Sequence, residues 1–134
     1  MGYLFVVIKK IFSFKEFSFR ITTGEKPLNN KFLLVIINNS SRTGGGFMVS
    51  PKASLTDSKL DMVLCEQLPV LKRLRYLPII EKGKHLELPF IHYSHEDSVK
   101  IECDKELYAQ IDGELISGRS FDIKVIREGL TVLY

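Results

Sequence analysis

The sequence predicts a mainly β domain, a sandwich of two packed, largely antiparallel sheets that carries one or two short helices. Short apolar runs recur along the 134 residues, and turn signals separate them. There are too few candidate crossover helices for a parallel sheet. Because 45% of the residues are hydrophobic, residues 1–134 hold enough apolar material for a single domain with its own core.

The first apolar run, residues 3–8, is followed by Lys9 and Lys10. It is far shorter than the about 20 residues needed to span a bilayer. It also differs from a signal peptide, in which the positive charge comes before the apolar run. Its apolar side chains recur at helical spacing and predict a short amphipathic helix that packs on the sheet: Leu4, Val7, Ile8 and Ile11.

Strand signals dominate from Phe17 onwards. Residues 17–22 alternate between apolar and polar side chains, which predicts a half-buried strand. The continuous apolar run from Phe32 to Ile37 predicts a strand that is buried on both faces at the centre of a sheet. Further strands are predicted at residues 60–64, at Leu86 to Ile91, around Val99, Ile101 and Cys103, at Tyr108 to Ile111, and around Phe121, Ile123 and Val125.

One helix interrupts these strands, from Leu68 to Leu77, with Pro69 suited to its first turn. An apolar stripe of Leu71, Leu74 and Leu77 is predicted to face the core. The basic side chains Lys72, Arg73 and Arg75 lie off that stripe. They indicate a solvated face or, alternatively, a face attracted to anionic lipid headgroups by about 1 kcal/mol per basic side chain.

Asp112 and Gly113 are a strong signal for a two-residue hairpin, because a type I′ turn needs positive φ at both positions. Glu114 then begins the returning strand. Taken alone, an Asp-Gly-Glu sequence indicates only a turn followed by a solvated strand residue.

Charge and side-chain chemistry exclude several functions. The net charge is only +3, and no basic patch interleaved with aromatic residues is present, so the sequence does not predict a nucleic-acid-binding protein. Cys65 and Cys103 lie in strand-like runs without metal spacing, which indicates reduced core or near-core thiols of a cytoplasmic protein. The histidines, His85, His92 and His95, are scattered and are interpreted as surface or loop residues, not as zinc ligands.

The glycines Gly44 to Gly46 mark a place where the backbone needs positive φ or where another group approaches closely. A lone triple glycine is most often a bulge or turn, and the Lys-Ser or Lys-Thr of a phosphate loop does not follow it. Pro51 then ends any central strand, and a polar loop runs from Ser54 to Lys59.

The order of several short motifs is more specific. Asn39 precedes Gly-Gly-Gly-Phe (44–47), Ser-Pro-Lys-Ala (50–53), Asp57 and Lys-Leu-Asp (59–61), and these are followed by Gly-Lys-His (83–85) and Gln-Ile-Asp-Gly-Glu (110–114). Over nearly the whole chain, this order resembles the second domain of the diacylglycerol kinase-type lipid kinases, a family that also holds sphingosine and ceramide kinases. The chain departs from the family at Ser58, where glycine is usual.

The resemblance implies a role for particular residues. Glu114 matches the family's proton acceptor, and a structural Mg²⁺ would be held by the carbonyl of Ser54, the carboxylate of Asp57 and the carbonyl of Lys59. From the residues alone, an Asx-type turn in which Asp57 caps its own backbone is the alternative. The substrate or interdomain cleft would include Asn39, Gly44, Gly45 and Gly46.

The resemblance also implies cofactors and partners. Mg²⁺ is expected, with ATP as co-substrate bound mainly by a nucleotide-binding domain that precedes this chain, since the family's Gly-Gly-Asp-Gly-Thr loop is not among the 134 residues. The expected substrate is diacylglycerol or a related lipid such as a sphingoid base, drawn from a membrane surface by a cytoplasmic, peripheral enzyme. The fragment alone is expected to be inactive and to self-associate, in the simplest case as a homodimer, through apolar surface near Tyr3 and Phe5.

A second class of function stays open. Small β-sandwiches also include modules that bind a hydrophobic ligand or a partner protein without catalysis, and fold alone does not distinguish them from a catalytic domain.

Overall fold

The structure, a computed structural model, describes residues 15–24, 26–43, 46–127 and 129. Its strands are β1 (Phe17–Thr23), β2 (Lys26–Asn38), β3 (Leu60–Glu66), β4 (Ile91–Glu96), β5 (Ser98–Ile111) and β6 (Glu114–Lys124). Helix α1 (Val70–Glu81) and a 3-10 helix (His85–Glu87) lie between β3 and β4. The mainly β prediction is confirmed, whereas the helix predicted at Leu4 to Ile11 lies outside the described residues.

All strand pairs are antiparallel, and the hydrogen-bonded order is β4-β3-β2-β1-β5-β6. β2 changes its partner at Phe32: residues 26–32 pair with β1, and the part from Phe32 to Asn38 pairs with β3. At the other side of the ladder, only Asp97 separates β4, which pairs with β3, from β5, which pairs with β1. The ladder of strands therefore folds back on itself. This arrangement is compatible with the predicted sandwich. Within the described ranges, however, all six strands belong to one hydrogen-bonded sheet.

The main core lies on one face of this ladder and draws on four strands. Its buried members are Ile21, Phe32, Leu60, Met62, Leu64, Val99 and Ile101. A second cluster on the opposite face of β3 is formed by Val63, Cys65, Leu68 and Ile91, with Tyr76 of α1 packed against it. Because both faces of β3 are covered in this way, every residue of β3 except Glu66 is buried.

The prediction that Phe32 to Ile37 is buried on both faces was wrong in part. Phe32 is fully buried, but Leu34 is 44% exposed. The reason lies in the pairing, since β1 accompanies β2 only as far as Phe32 and the register with β3 is irregular between Phe32 and Leu34. β2 contacts both clusters, through Val35 and Ile37 on one face and Leu33 and Ile36 on the other, but these side chains are only partly buried, whereas those of β3 are buried.

Helix α1 begins after Pro69 and continues through Pro78 to Glu81, beyond the predicted end at Leu77. The predicted apolar stripe was wrong at Leu71, which is 79% exposed; the side chain of Leu77 is outside the described part. Arg73, predicted to be solvated or lipid-facing, is instead buried. Its guanidinium lies 2.6 Å from the Glu16 carboxylate and donates to the carbonyl of Leu68 at 2.8 Å, so burial leaves it satisfied.

The strand predicted at Leu86 to Ile91 was also wrong. A 3-10 turn forms there, in which the amide of Leu88 donates to the carbonyl of His85 at 3.0 Å, and β4 begins only at Ile91. Pro89 has no amide hydrogen to offer a sheet. The apolar pattern still reflects burial, because Leu86, Leu88 and Phe90 pack against the second cluster.

Candidate functional site

The polar loop from Ser54 to Lys59 is closed by its own side chains. One oxygen of Asp57, Oδ1, accepts a hydrogen bond from the amide of Lys59 at 3.0 Å, and Ser54 Oγ accepts one from the amide of Thr56 at 3.4 Å. Ser58 has φ of +57°, in the left-handed region that favours glycine. The loop therefore contains the Asx-type turn that the residues alone suggested.

The same loop has oxygen atoms that suit a hard cation. Asp57 is exposed and its second oxygen has no protein partner in the described part of the chain. The ammonium of Lys59 lies 2.9 Å from Asp97, so its charge is compensated there. One carboxylate with carbonyl oxygens and water is a ligand set that Mg²⁺ accepts. Among the described residues, no group of three or more His, Cys, Asp or Glu side chains is arranged to bind a metal.

Next to this loop lies a row of polar residues that the sequence analysis missed. Asn38, Asp61 and His95 are directly opposite one another on β2, β3 and β4, and we call them the polar row. Asp61 is completely buried. An aspartate between the apolar Leu60 and Met62 was the one available signal, but its partners depend on strand register.

A hydrogen-bonded chain holds the carboxylate of Asp61. The hydroxyl of Tyr93 donates to Asp61 Oδ1 and lies 2.6 Å from His95 Nε2, which is itself 3.0 Å from the same oxygen. Burial, followed by the hydrogen bond to Asp61 and its negative charge, raises the pKa of Tyr93. The phenol therefore stays protonated and keeps donating. Asp61 Oδ2 has no hydrogen-bond partner in the described structure.

After β2, described residues on either side of Gly44 and Gly45 contact each other. The amide of Thr43 donates to the carbonyl of Phe47 at 3.0 Å, and the Arg42 guanidinium donates to the carbonyl of Gly46 at 3.0 Å. Gly46 has φ of +87°, as expected for a position that requires glycine. We call the described residues Thr43, Gly46 and Phe47 the glycine turn; Gly44 and Gly45 lie outside the described residues. Asn39 is exposed just before this turn.

The turn is followed by a buried segment that contacts the end of α1. Val49 and Ser50 are buried, and the carbonyl of Val49 lies 2.9 Å from Nε2 of His85. His85 is itself buried, so its interpretation as a surface or loop histidine was wrong. Burial lowers the pKa of His85, and the hydrogen bond to Val49 opposes that shift. The two cysteines are free thiols, as expected, and burial raises the pKa of Cys65 to about 11.

The hairpin between β5 and β6 turns at Asp112 and Gly113, with φ of +47° and +94°. Positive φ at both positions confirms the predicted type I′ turn. Glu114 lies directly opposite Ile111 and is exposed. β1 pairs with β5 only as far as Cys103, so this end of the hairpin has no strand beside it in the described part of the chain.

The structure brings some candidate residues together and separates others. Asn39 and the Asp57 loop lie at the same end of the ladder, because Asn38 pairs with Asp61. Glu114 lies at the far end of β5 from Asp97, the partner of Lys59. As a straight strand, the 14 residues of β5 would span roughly 45 Å, although its register with β6 is irregular between Glu102 and Leu107. A cation held by the Asp57 loop would therefore not contact the Glu114 carboxylate.

Comparison with known proteins identifies relatives over the whole chain. Residues 1–134 match the family model described as the YegS C-terminal NAD kinase beta sandwich-like domain. A diacylglycerol kinase of Mycobacterium tuberculosis is 27% identical over 135 residues, covering 99% of this chain and 43% of its own length. Sphingoid long-chain bases kinase 1 of Arabidopsis thaliana is 31% identical over 87 residues, covering 63% of this chain and 11% of its own length.

Solved structures agree on the fold. A Bacillus anthracis diacylglycerol kinase superposes with a TM-score of 0.67 at 18% identity, covering 91% of this chain and 44% of that chain. At this identity the likeness concerns the fold alone. The chain spans less than half the length of the diacylglycerol kinases that it matches. None of the described helices has the length and apolar character needed to cross a membrane.

Proposed function

Because the chain belongs to the family of YegS C-terminal NAD kinase beta sandwich-like domains, we propose that it is the lipid-handling part of an ATP-dependent lipid kinase. The substrate is diacylglycerol or a related lipid such as a sphingoid base. A nucleotide-binding region outside residues 1–134 supplies ATP. The observation that carries the proposal is the exposed type I′ turn that leads into Glu114; the resemblance of Gln-Ile-Asp-Gly-Glu to the family motif implies that this residue is the proton acceptor.

In this proposal Glu114 is the general base. The lipid hydroxyl oxygen forms a bond to the γ-phosphorus of ATP, the bond from that phosphorus to the ADP oxygen breaks, and the hydroxyl proton passes to the Glu114 carboxylate. The energetic demand on the protein is mainly positioning and charge neutralisation, so the base makes a limited contribution. The exposure of Glu114 fits a residue that acts at a junction with the ATP-binding region.

Mg²⁺ at the Asp57 loop has a structural role in this proposal. The carbonyls of Ser54 and Lys59 and the carboxylate of Asp57 would hold it, and the ion would neutralise that carboxylate and fasten the loop. An Asp57→Ala variant of the whole polypeptide is expected to lose the thermal stabilisation that Mg²⁺ gives the parent. Because Asp57 is exposed, the variant should still fold. Unchanged Mg²⁺-dependent stabilisation, measured without ATP, would exclude the site.

The basic side chains on α1 support a peripheral attachment to membranes inside the cell. Lys72 and Arg75 are exposed, unlike Arg73. Near an anionic bilayer each would contribute about 1 kcal/mol of attraction. Binding of the polypeptide to vesicles should therefore weaken when both are replaced by glutamine.

The direct test uses the polypeptide that includes the preceding region, with radiolabelled ATP and detergent micelles that contain either diacylglycerol or sphingosine. Transfer of label to one of these lipids is expected, and residues 1–134 alone should transfer none. A phosphate-accepting lipid would establish the enzyme class and the substrate together. Tight lipid binding with no transfer by the longer polypeptide would favour the non-catalytic alternative.

A further inference from the structure

Among the described residues, the buried imidazole of His85 has one hydrogen-bond partner. Its Nε2 lies 2.9 Å from the carbonyl oxygen of Val49, and only 2% of the residue is exposed. A carbonyl only accepts hydrogen bonds, so Nε2 carries the proton in the neutral ring. Nδ1 is buried without a partner among the described residues. A second proton on Nδ1 would therefore be a buried donor with nothing to bind.

The residue that His85 holds is the point where the glycine turn joins the rest of the domain. On one side of Val49, Met48 contacts Gly83 so closely that a Cβ there would lie 2.7 Å from its sulfur. On the other side, the amide of Ser50 donates to the carbonyl of Ser41 at 3.3 Å. Releasing the Val49 carbonyl would therefore loosen both ends of the glycine turn.

We infer that His85 is a positioning residue, and that its neutral imidazole holds the glycine turn in place by binding the Val49 carbonyl. The contact joins the segment that directly follows the glycine turn to the 3-10 helix after α1, two parts of the molecule that are far apart in sequence. The consequence for catalysis rests on the proposed function, in which the glycine turn borders the cleft. The consequence for the glycine turn itself does not depend on the proposed function.

The charged groups around His85 do not compete for this role. Lys84 and Glu87 flank it and are exposed, and residues 48–50 have no ionisable side chain. In the neighbouring α1 and β4, Arg73 binds Glu16, His92 binds Glu66 at 2.6 Å and Tyr93 binds Asp61, whereas Lys72 and Arg75 are exposed. Protonation of His85 is therefore opposed by burial and is not compensated by an acidic neighbour.

The sign of the pH dependence follows. Because the pKa of His85 is lower in the folded protein than in the unfolded chain, its contribution is fully present above about pH 6.5, the ordinary histidine value. It is lost progressively as pH falls below that value. Acid should open the glycine turn before it unfolds the domain.

The experiment compares three variants of the whole polypeptide by amide hydrogen exchange at pH 7.5 and 5.5, corrected for intrinsic exchange. The probes are the amides of Thr43 and Ser50, which donate to Phe47 and Ser41. His85→Phe removes the donor, whereas His85→Gln keeps an amide N–H near the position of Nε2 and does not titrate. His92→Gln is the control, an exposed histidine outside this contact.

In the parent and in His92→Gln, protection of both amides should fall at pH 5.5 by up to about tenfold, the most that one group with an ordinary histidine pKa in the open state can supply over this range. His85→Gln should stay protected at both pH values, and His85→Phe should be unprotected at both. Full protection in His85→Phe, or an acid-induced loss that persists in His85→Gln, would overturn the inference. If His85→Phe does not fold, the pH dependence of the parent and of His85→Gln still decides. Failure to find lipid phosphorylation would affect the proposed function and leave this exchange pattern unchanged.

Discussion

The polar groups at the two ends of β5 differ in their burial and in their partners. At the start, Asp97 binds Lys59 and the polar row lies nearby, with Asp61 completely buried and bound by Tyr93 and His95. At the other end, Glu114 follows an exposed turn. Large apolar side chains near it are also exposed: Tyr108, 76% exposed, Leu115, 71%, and Ile111, 56%.

We interpret the buried polar groups as groups that stabilise the fold, and the exposed Glu114 carboxylate as a group that needs another part of the protein to act. The buried Asp61 carboxylate contacts Tyr93 and His95 through Oδ1, while its Oδ2 has no hydrogen-bond partner among the described residues, so its interactions lie within the domain. An exposed carboxylate flanked by apolar surface has neither the shielding nor the partners that proton transfer requires. We therefore expect changes near the polar row to affect stability, and changes at the hairpin end to affect stability little and activity strongly.

The largest effect on stability is expected from Asp61→Ala. It leaves the Tyr93 hydroxyl and His95 without their buried acceptor, and the free energy of unfolding should fall by about 3 kcal/mol. Asp57→Ala, four residues earlier and exposed, is the matched control and should cost less than about 1 kcal/mol in the absence of Mg²⁺. Urea unfolding measures both. Equal losses would show that the polar row does not stabilise the domain.

A smaller difference is expected between Gly83→Ala and Gly113→Ala. Both glycines have positive φ, +69° and +94°, so each substitution should cost about 1 kcal/mol in backbone strain. Only at Gly83 does the new Cβ meet another residue, Met48, at 2.7 Å, whereas Gly113 has open space. Thermal unfolding should show the larger loss for Gly83→Ala. The reverse order would contradict the close contact between Gly83, just after α1, and Met48 in the segment after the glycine turn.

The smallest effect is a gain. Ser58 has φ of +57°, so Ser58→Gly should relieve strain and raise the free energy of unfolding by about 0.5 to 1 kcal/mol. Ser18→Gly, on β1 in extended backbone, should instead lower it by a similar amount. Chemical denaturation of both variants provides the comparison. A loss of stability in Ser58→Gly would mean that the serine side chain contributes more than its backbone strain costs.

Local features of the sequence predicted much of the fold. Alternation identified β1, β3 and β6, and the Asp112-Gly113 pair identified the hairpin, because side-chain period and turn geometry depend on neighbouring residues. Burial that depends on distant partners was not predictable in this way. Arg73 is buried because Glu16 approaches it, and Asp61 is buried because strand register places it beside His95.

In the candidate site, too, features set by neighbouring residues were predictable and features set by distant residues were not. The Asx-type turn at Asp57 and the positive φ of Ser58 follow from residues within the loop. The separation of that loop from Glu114 follows from the path of β5, which no spacing in the sequence indicates. His85 was quoted as part of Gly-Lys-His and interpreted as a surface or loop histidine, because its contact with Val49 spans 36 positions.

The most direct test of the central claim is the activity of Glu114→Gln in the polypeptide that contains the nucleotide-binding region. Glutamine keeps the size and hydrogen bonding of glutamate but removes its basicity, so lipid phosphorylation should fall by roughly 10² to 10⁴. The unfolding transition should not move, because Glu114 is exposed. Asp112→Asn, at the adjacent turn position, is the control and should keep most of the activity. Turnover near the parent level in a folded Glu114→Gln protein would contradict the assignment of the general base.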